Sequence, residues 1–410
     1  MKILNVNFTF NTMNYGQTSL SNNVKLSDEL SNLKELQKRG HTVATVTTDR
    51  SNYIIEQKQL KNKLFLNIDE NIPIDIFGIP VYVLHSTIPS LGWYCPNASK
   101  VANNIIKFFD IIHIRNWYNH VGIEFYKSAI KYNIPFVFTA HNSINPTIEN
   151  KIFKLPKKIL EKLYTKKMIN RASALQSLGN SENKQFLSFG ADPNKIFRID
   201  LGVKPEDFEI SEDTDIFSKF KIDKENSSYI LFLGRVVKKK GIELLFQAFA
   251  KHKPNNLSII IAGPVTDEYK NKLLEIANEL KITNSVKLIG PIHGSEKAQL
   301  LEHAKIFALT SYSDIHPVAV EEALFMGNPV LITKNCDFPE IEECDAGVVV
   351  DATFESVYHG LVKILKSDAK LEEYSKNAKQ LAKNKFLFEN KVIDYENLFQ
   401  FAINNQKKIF

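Results

Sequence analysis

The sequence predicts an α/β protein made of two Rossmann-like domains in tandem, each a mostly parallel sheet covered by helices. Three observations lead there. At 410 residues the chain exceeds what one hydrophobic core organises, so two domains of roughly 200 residues each follow. Short apolar runs of strand length recur along it, many ending in polar residues that precede an amphipathic stretch of helical period. Composition is that of a globular chain, 44% hydrophobic and 24% charged. No apolar run approaches the roughly 20 residues that cross a bilayer.

Residues 2–10 read as the first strand, and Leu26, Leu30, Leu33 and Leu36 mark a helix over 26–39 that Gly40 caps. Residues 42–47 (TVATVT) are the next parallel strand, closing a βαβ unit. The loop between them offers only Gly16 for close approach of a phosphate. After an irregular polar stretch over 53–73, strands are expected at 81–84, 111–114 and 135–139, with a helix over 121–132 between the last two. Both of those strands end in polar residues: Arg115, Asn116 and Trp117 after the first, His141 and Asn142 after the second. Open α/β sheets bind ligands at such carboxyl ends, so His141 is read as ligand-facing rather than as a loop histidine satisfied by backbone. His113 alternates inward and is read as structural. Residues 174–177 and 196–203 complete the first half.

Residues 205–226 are acidic and lack a hydrophobic period, and read as the linker. A strand over 229–233 then opens the second half. It is followed by Gly234-Arg235-Val236-Val237-Lys238-Lys239-Lys240-Gly241 and a helix over 242–251. Arg235 and Lys240 leave one loop, so their cationic heads can converge on a diphosphate and neutralise charge on a departing group. The next strand, 257–262, ends in Gly263-Pro264 and leads to a helix over 267–280; a further strand over 286–289 ends in a glycine-containing turn. Residues 306–309 are a short buried strand, and the stretch TSYSDIHPVAVEEALFMGNPV (310–330) follows as loop, helix and strand. Its loop supplies backbone N–H groups beside a helix start, which suits phosphate. Its carboxylates, Asp314 and, eight positions on, Glu322, can accept hydrogen bonds from sugar hydroxyls. A strand over 348–350, helices in pieces over 354–383 and a last amphipathic helix over 388–401 end the chain.

Charge is uneven, +11 over residues 1–205 against −5 over 206–410. The basic half is expected to face something anionic, unless its lysines are merely solvated. Residues 151–173 carry eight Lys/Arg and one Glu around an apolar stripe, a candidate for peripheral contact with an anionic membrane, although Pro156 interrupts any single helix. Three cysteines, Cys95, Cys336 and Cys344, lack metal-site spacing and read as buried thiols. No leader is read at the N-terminus, so a cytoplasmic location is expected, peripheral at the inner face of the membrane if the basic segment binds lipid.

The segments FLGRVVKKKGIELLFQAF, IAGP and SYSDIHPVAVEEALFMGNPVL, with weaker echoes in RGHTVATVTT, IPFVFTAHN and RIDLGVKPEDF, resemble the family 4 retaining glycosyltransferases (glycosyl transferases group 1) of the GT-B fold. The resemblance implies an acceptor-binding Rossmann-like domain over 1–205, a nucleotide-sugar-binding one over 206–385, and a helix over 386–410 that crosses back to the first, with the donor site in the interdomain cleft. It places Arg235 and Lys240 on the donor diphosphate, Asp314 on the donor sugar, Glu322 on the ribose and His141 near the transferred sugar. Ile315, His316, Pro317, Gly234, Gly263 and Gly16 join the donor-binding set, and Arg115 and Asn116 the acceptor side. The expected partners are a UDP-, GDP- or ADP-sugar donor and a glycan or lipid-linked acceptor, with no cofactor, no required metal and no nucleic acid. Two features depart from the family pattern: Asp314 stands where Glu is usual, and the first loop has Gly16 alone instead of a Gly-Gly pair. A nucleotide-sugar epimerase or hydrolase on the same scaffold, and a non-catalytic sugar-nucleotide or nucleic-acid binder, are the competing readings.

Overall fold

The computed structural model describes residues 1–7, 28–51, 54, 68–87, 94–115, 119–141, 164–211, 215–222, 228–254 and 256–408. The chain forms two compact units, Met1–Ile199 with Val392–Phe410, and Asp200–Lys391.

Strands of the first unit are β1 (Lys2–Val6), β2 (Thr42–Thr48), β3 (Ile74–Ile76), β4 (Ile79–Leu84), β5 (Ile111–Arg115), β6 (Phe136–Thr139), β7 (Ala174–Ser177) and β8 (Ile196–Arg198). They lie in the order β3-β4-β2-β1-β5-β6-β7-β8, and only β3 runs antiparallel to its neighbour. Parallel strands are covered on both faces and therefore carry near-continuous apolar runs, as the fully buried Ile111–Arg115 shows. The β3–β4 hairpin lies in a stretch with no strand expected before residue 81. Its two-residue turn, Phe77-Gly78, has positive φ at both positions (55° and 78°), the geometry that matches strand twist. A bulky Phe in the first turn position hides that signal. Helix His120–Tyr132 starts where the Asn119 side chain accepts from Gly122 N at 2.6 Å and stops at Asn133 in the left-handed region.

The second unit holds β9 (Ser228–Leu233), β10 (Leu257–Ala262), β11 (Val286–Gly290), β12 (Ile306–Leu309), β13 (Val330–Thr333) and β14 (Gly347–Val350), all parallel, in the order β11-β10-β9-β12-β13-β14. The chain runs outward from β9 to β11 on one side, then returns to β12 and runs out on the other. The order therefore reverses between β9 and β12, and the crevice at their carboxyl ends is the topological switch point where such sheets bind ligands. The corresponding reversal in the first unit lies between β1 and β5.

Two expectations are corrected. The stretch 205–226 is no free linker: Phe208, Ile216, Phe217 and Ile222 pack into the core of the second unit, which already begins at Asp200. Apolar residues spaced too irregularly for one helix are here carried by a 3-10 turn, Pro205–Phe208, and a short helix, Ile216–Phe220. Of the three thiols, Cys95 and Cys336 are buried and Cys344 is exposed.

Candidate active site

In the second unit, two loops meet at the switch point. The loop after β9 runs from Gly234 to Gly241, and the loop after β12 from Thr310 to Pro317. They are stitched together by hydrogen bonds to backbone carbonyls: Tyr312 N donates to Lys239 O at 2.8 Å, Ser311 Oγ to Lys239 O at 3.0 Å, and Thr310 Oγ1 to Gly241 O at 2.7 Å. Gly241, at φ +62°, sits so close that a Cβ there would lie 2.2 Å from Thr310 O. Only glycine fits both the angle and the approach.

Across this seam the Lys240 ammonium pairs with the Asp314 carboxylate. Lys240 is 8% exposed, so its charge is directed inward at one point, while Arg235 stands exposed at the same strand end. Arg235 and Lys240 were both expected on one diphosphate; the structure gives Lys240 a carboxylate partner that sequence reasoning had assigned to the sugar. Glu322 lies on helix Val318–Met326 and accepts from Lys297 Nζ at 2.6 Å, a partner on helix Gly294–His303. Lys297 also stands 4.9 Å over the ring of Phe208. Sequence reasoning missed Lys297, since nothing local ties it to a residue 25 positions away.

Gly234 and Gly263 end adjacent strands at φ +145° and +146°. Ile315 and Pro317 are half-buried, with Pro317 just ahead of the helix. His316, expected to touch donor, is instead turned into the interior. The residue is 3% exposed; its ring stacks on Phe338 at 3.8 Å and faces Glu321 at 2.9 Å, and its backbone N–H donates to Cys336 O. The position two residues beyond the acid points into the unit because the backbone there turns left-handed, φ +46°.

In the first unit, Arg115 closes β5 and His141 follows β6, the adjacent strand. Arg115 Nε donates to His141 Nε2 at 3.1 Å. A guanidinium only donates, so Nε2 is the acceptor and the ring is neutral with its proton on Nδ1. Burial first, and the Arg115 charge second, hold the His141 imidazolium well below the usual histidine range. His141 also has a left-handed backbone, φ 47°. Nearby, the buried Glu29 carboxylate accepts from Asn5 and Asn7, and burial raises its pKa against the pull of Arg115. His113 is structural: its Nε2 lies 2.7 Å from Thr139 Oγ1, which donates to Gln176 Oε1 at 2.8 Å. Gly16, Asn116, Asn142 and residues 151–163 of the basic segment lie outside the described residues.

Two parallel-sheet α/β units, one with cationic and acidic loops at its switch point, define the class of a GT-B sugar transferase. Solved structures share the fold. The Anabaena protein Alr3699/HepE in complex with UDP superposes with a TM-score of 0.70 at 17% identity, covering 97% of this chain and 99% of that one. A glycosyltransferase from Rickettsia africae ESF-5 gives 0.70 at 18%, over 98% and 99%. Residues 31–207 match Glycosyltransferase Family 4 and residues 213–381 match Glycosyl transferases group 1. Among relatives, the uncharacterized glycosyltransferase MJ1607 of Methanocaldococcus jannaschii is 24% identical over 307 residues, 72% of this chain and 76% of its own length. The D-inositol 3-phosphate glycosyltransferase of Mycobacterium sp. (strain JLS) is 23% identical over 251 residues, 60% and 56%. This chain belongs to glycosyltransferase family 4 and is a glycosyltransferase of the group 1 type.

Proposed function

We propose that this glycosyltransferase retains anomeric configuration and moves a sugar from a nucleoside diphosphate to a glycan or lipid-linked acceptor, in the assembly of cell-surface polysaccharide or glycoconjugate. The observation that carries the donor side is the seam at the β9/β12 switch point, where Lys240 and Asp314 meet beside Arg235, with Glu322 on the following helix. Without donor, Asp314 is the counter-ion of Lys240. A diphosphate brings more negative charge and exchanges with that carboxylate for the ammonium. Asp314 is then free to accept from the sugar hydroxyls, and Glu322 accepts from the ribose.

In transfer, the acceptor oxygen bonds to the anomeric carbon on the face from which the diphosphate departs. The carbon–oxygen bond to the diphosphate breaks, and the acceptor proton passes to the departing phosphate oxygen. Arg235 and Lys240 stabilise the charge that develops there, so the reading requires no metal. His141, neutral with Nδ1–H as its donor, offers a hydrogen bond to a sugar hydroxyl without adding a charge. Among the described residues no helix is long and apolar enough to cross a membrane. We place the work in the cytoplasm, at the inner face of the membrane if the eight cationic residues of 151–173 bind anionic lipid. Nucleic acid has no part in this reading.

The test is a thermal-shift panel of UDP, GDP and ADP with their sugars. A ligand at about 100 times its Kd stabilises by about 2.7 kcal/mol, so the right base stands out as a shift of several degrees. A panel in which no nucleoside diphosphate moves the melting temperature removes the donor reading. Product from the selected donor, with anomeric configuration read by NMR, then decides retention against inversion.

A further inference from the structure

Four ionisable side chains that the reaction scheme leaves unused are buried together in the second unit. Asp200, His316, Glu321 and Lys391 are 5%, 3%, 0% and 6% exposed. Asp200 and Lys391 are the first and last residues of that unit, His316 lies two positions past Asp314, and Glu321 precedes Glu322. Lys391 Nζ is 2.5 Å from Asp200 Oδ1. His316 Nε2 faces Glu321 Oε1 at 2.9 Å and Asp200 Oδ2 at 3.6 Å, while its Nδ1 lies 3.4 Å from Asp337 O.

The two ring nitrogens therefore both face acceptors. A carbonyl can only accept, so Nδ1 carries a proton, and a second proton must lie between Nε2 and Oε1, since two lone pairs at 2.9 Å would repel. Whichever atom holds that proton, the His316–Glu321 pair is neutral, as is the Asp200–Lys391 pair. A neutral quartet can be buried; loss of the proton would leave one uncompensated negative charge in the core.

We propose that this quartet positions the donor-side loop, holding Asp314 at Lys240 and Glu322 at Lys297 through one proton shared by His316 and Glu321. The functional consequence rests on the donor reading above; the positioning itself does not. His316 keeps a left-handed backbone, φ +46°, which an L residue holds only when its surroundings fix it. The ring stacked on Phe338 and tied to Glu321 supplies that constraint. The three ligand atoms of Asp200, His316 and Glu321 lie within 4.8 Å of one another, a spacing that would also admit a divalent cation. The Lys391 ammonium already on Asp200 favours a proton over a second cation.

The arrangement makes the loop sensitive to pH. Burial pushes the Glu321 carboxyl up to about 7, with His316 and Lys391 opposing and Asp200 adding to the rise; these three are the charged groups that face it. A carboxyl raised in the folded state contributes stability that is full below its unfolded value near 4.5 and is lost as pH rises through about 7.

Hydrogen exchange of the full-length protein over residues 311–317 tests this. The Tyr312, Asp314 and His316 amides donate to Lys239, Asn335 and Cys336 carbonyls, so their protection reports how firmly the loop is held. After correction for intrinsic rates, the wild type should lose protection about tenfold between pH 6 and 8, the change one pKa unit represents. Glu321→Gln, whose amide can donate to His316 Nε2 and stays neutral at every pH, should hold the low-pH protection with no pH step, and its affinity for the nucleoside diphosphate should likewise not fall between pH 6 and 8. EDTA should change neither. A flat wild-type profile, a Glu321→Gln profile like wild type, or protection lost on chelation overturns the proposal. If the variant fails to fold, the wild-type profile decides alone. If no nucleoside diphosphate binds the wild type, the donor reading fails while the exchange profile still judges the quartet.

Discussion

Lys240 concentrates the donor-side argument in one atom. Its ammonium is nearly buried and pairs with Asp314, so Lys240→Ala removes a directed charge. Turnover should fall by about 100-fold or more, the usual cost of losing one transition-state charge donor. Near-normal turnover in a folded Lys240→Ala protein would remove Lys240 from the leaving group. Asp314→Asn makes the opposite prediction for binding: with the competing carboxylate gone, UDP itself should bind several-fold tighter by calorimetry, while sugar transfer drops. Weaker UDP binding would show that the pair assists the nucleotide instead of competing with it. Arg235, Lys240 and Asp314 were singled out in the sequence because each follows a short apolar strand within seven residues, and Glu322 by its spacing of eight from Asp314. Lys297, Asp200 and Glu321 were not, because their partners lie 25, 116 and five positions away and local periodicity carries no information about such pairs. His316 shows the same limit from the other side: the sequence marks the loop, and only the left-handed turn decides which way its ring points.

At the level of elements, the strand ends set where the loops can approach. Gly234 and Gly263 close neighbouring strands in almost the same unusual conformation, but their surroundings differ. A Cβ at Gly263 would lie 1.8 Å from Gly234 O, whereas one at Gly234 meets nothing within 4 Å. Gly263→Ala should therefore destabilise the second unit by at least about 2 kcal/mol, combining strain with a backbone clash, and Gly234→Ala by the strain alone. Urea midpoints for the two variants measure the difference; equal values would mean that the β9 and β10 ends separate without cost. The strands of this unit were readable almost to the residue, since apolar runs of four to six end in Gly, Pro or polar residues. The β3–β4 hairpin and the 205–226 stretch were not, because a Phe occupied a turn position and the core contacts of Phe208, Ile216 and Phe217 follow no single period.

For the molecule as a whole, the first unit is discontinuous in sequence, and one of its helices comes from the far end of the chain. Helix Phe388–Lys408 begins in the second unit and from Val392 belongs to the first. There Tyr395, Leu398, Phe399 and Ala402 are at most 2% exposed. Phe399 packs edge-on against His113 at 5.6 Å, the Tyr395 hydroxyl accepts from Gln176 Nε2 at 2.7 Å, and Glu396 takes two 2.8 Å bonds from Arg39. The amphipathic pattern announced a helix and the family resemblance implied that it crosses back to the first domain, but neither marked the residues, more than 200 positions earlier, that its buried face meets. Burying one large apolar side chain contributes about 1.5–3 kcal/mol, so this helix supplies a large share of the roughly 5–15 kcal/mol that holds a domain folded. Phe399→Ala should cost the first unit about 3–5 kcal/mol and leave the second largely unaffected. Denaturation followed by proteolysis and mass spectrometry can resolve the units, because two domains need not unfold in one step. Early loss of protection in 28–199, with 228–391 unchanged, is the expected pattern. Simultaneous loss in both would show that the helix holds the whole chain in a single cooperative transition.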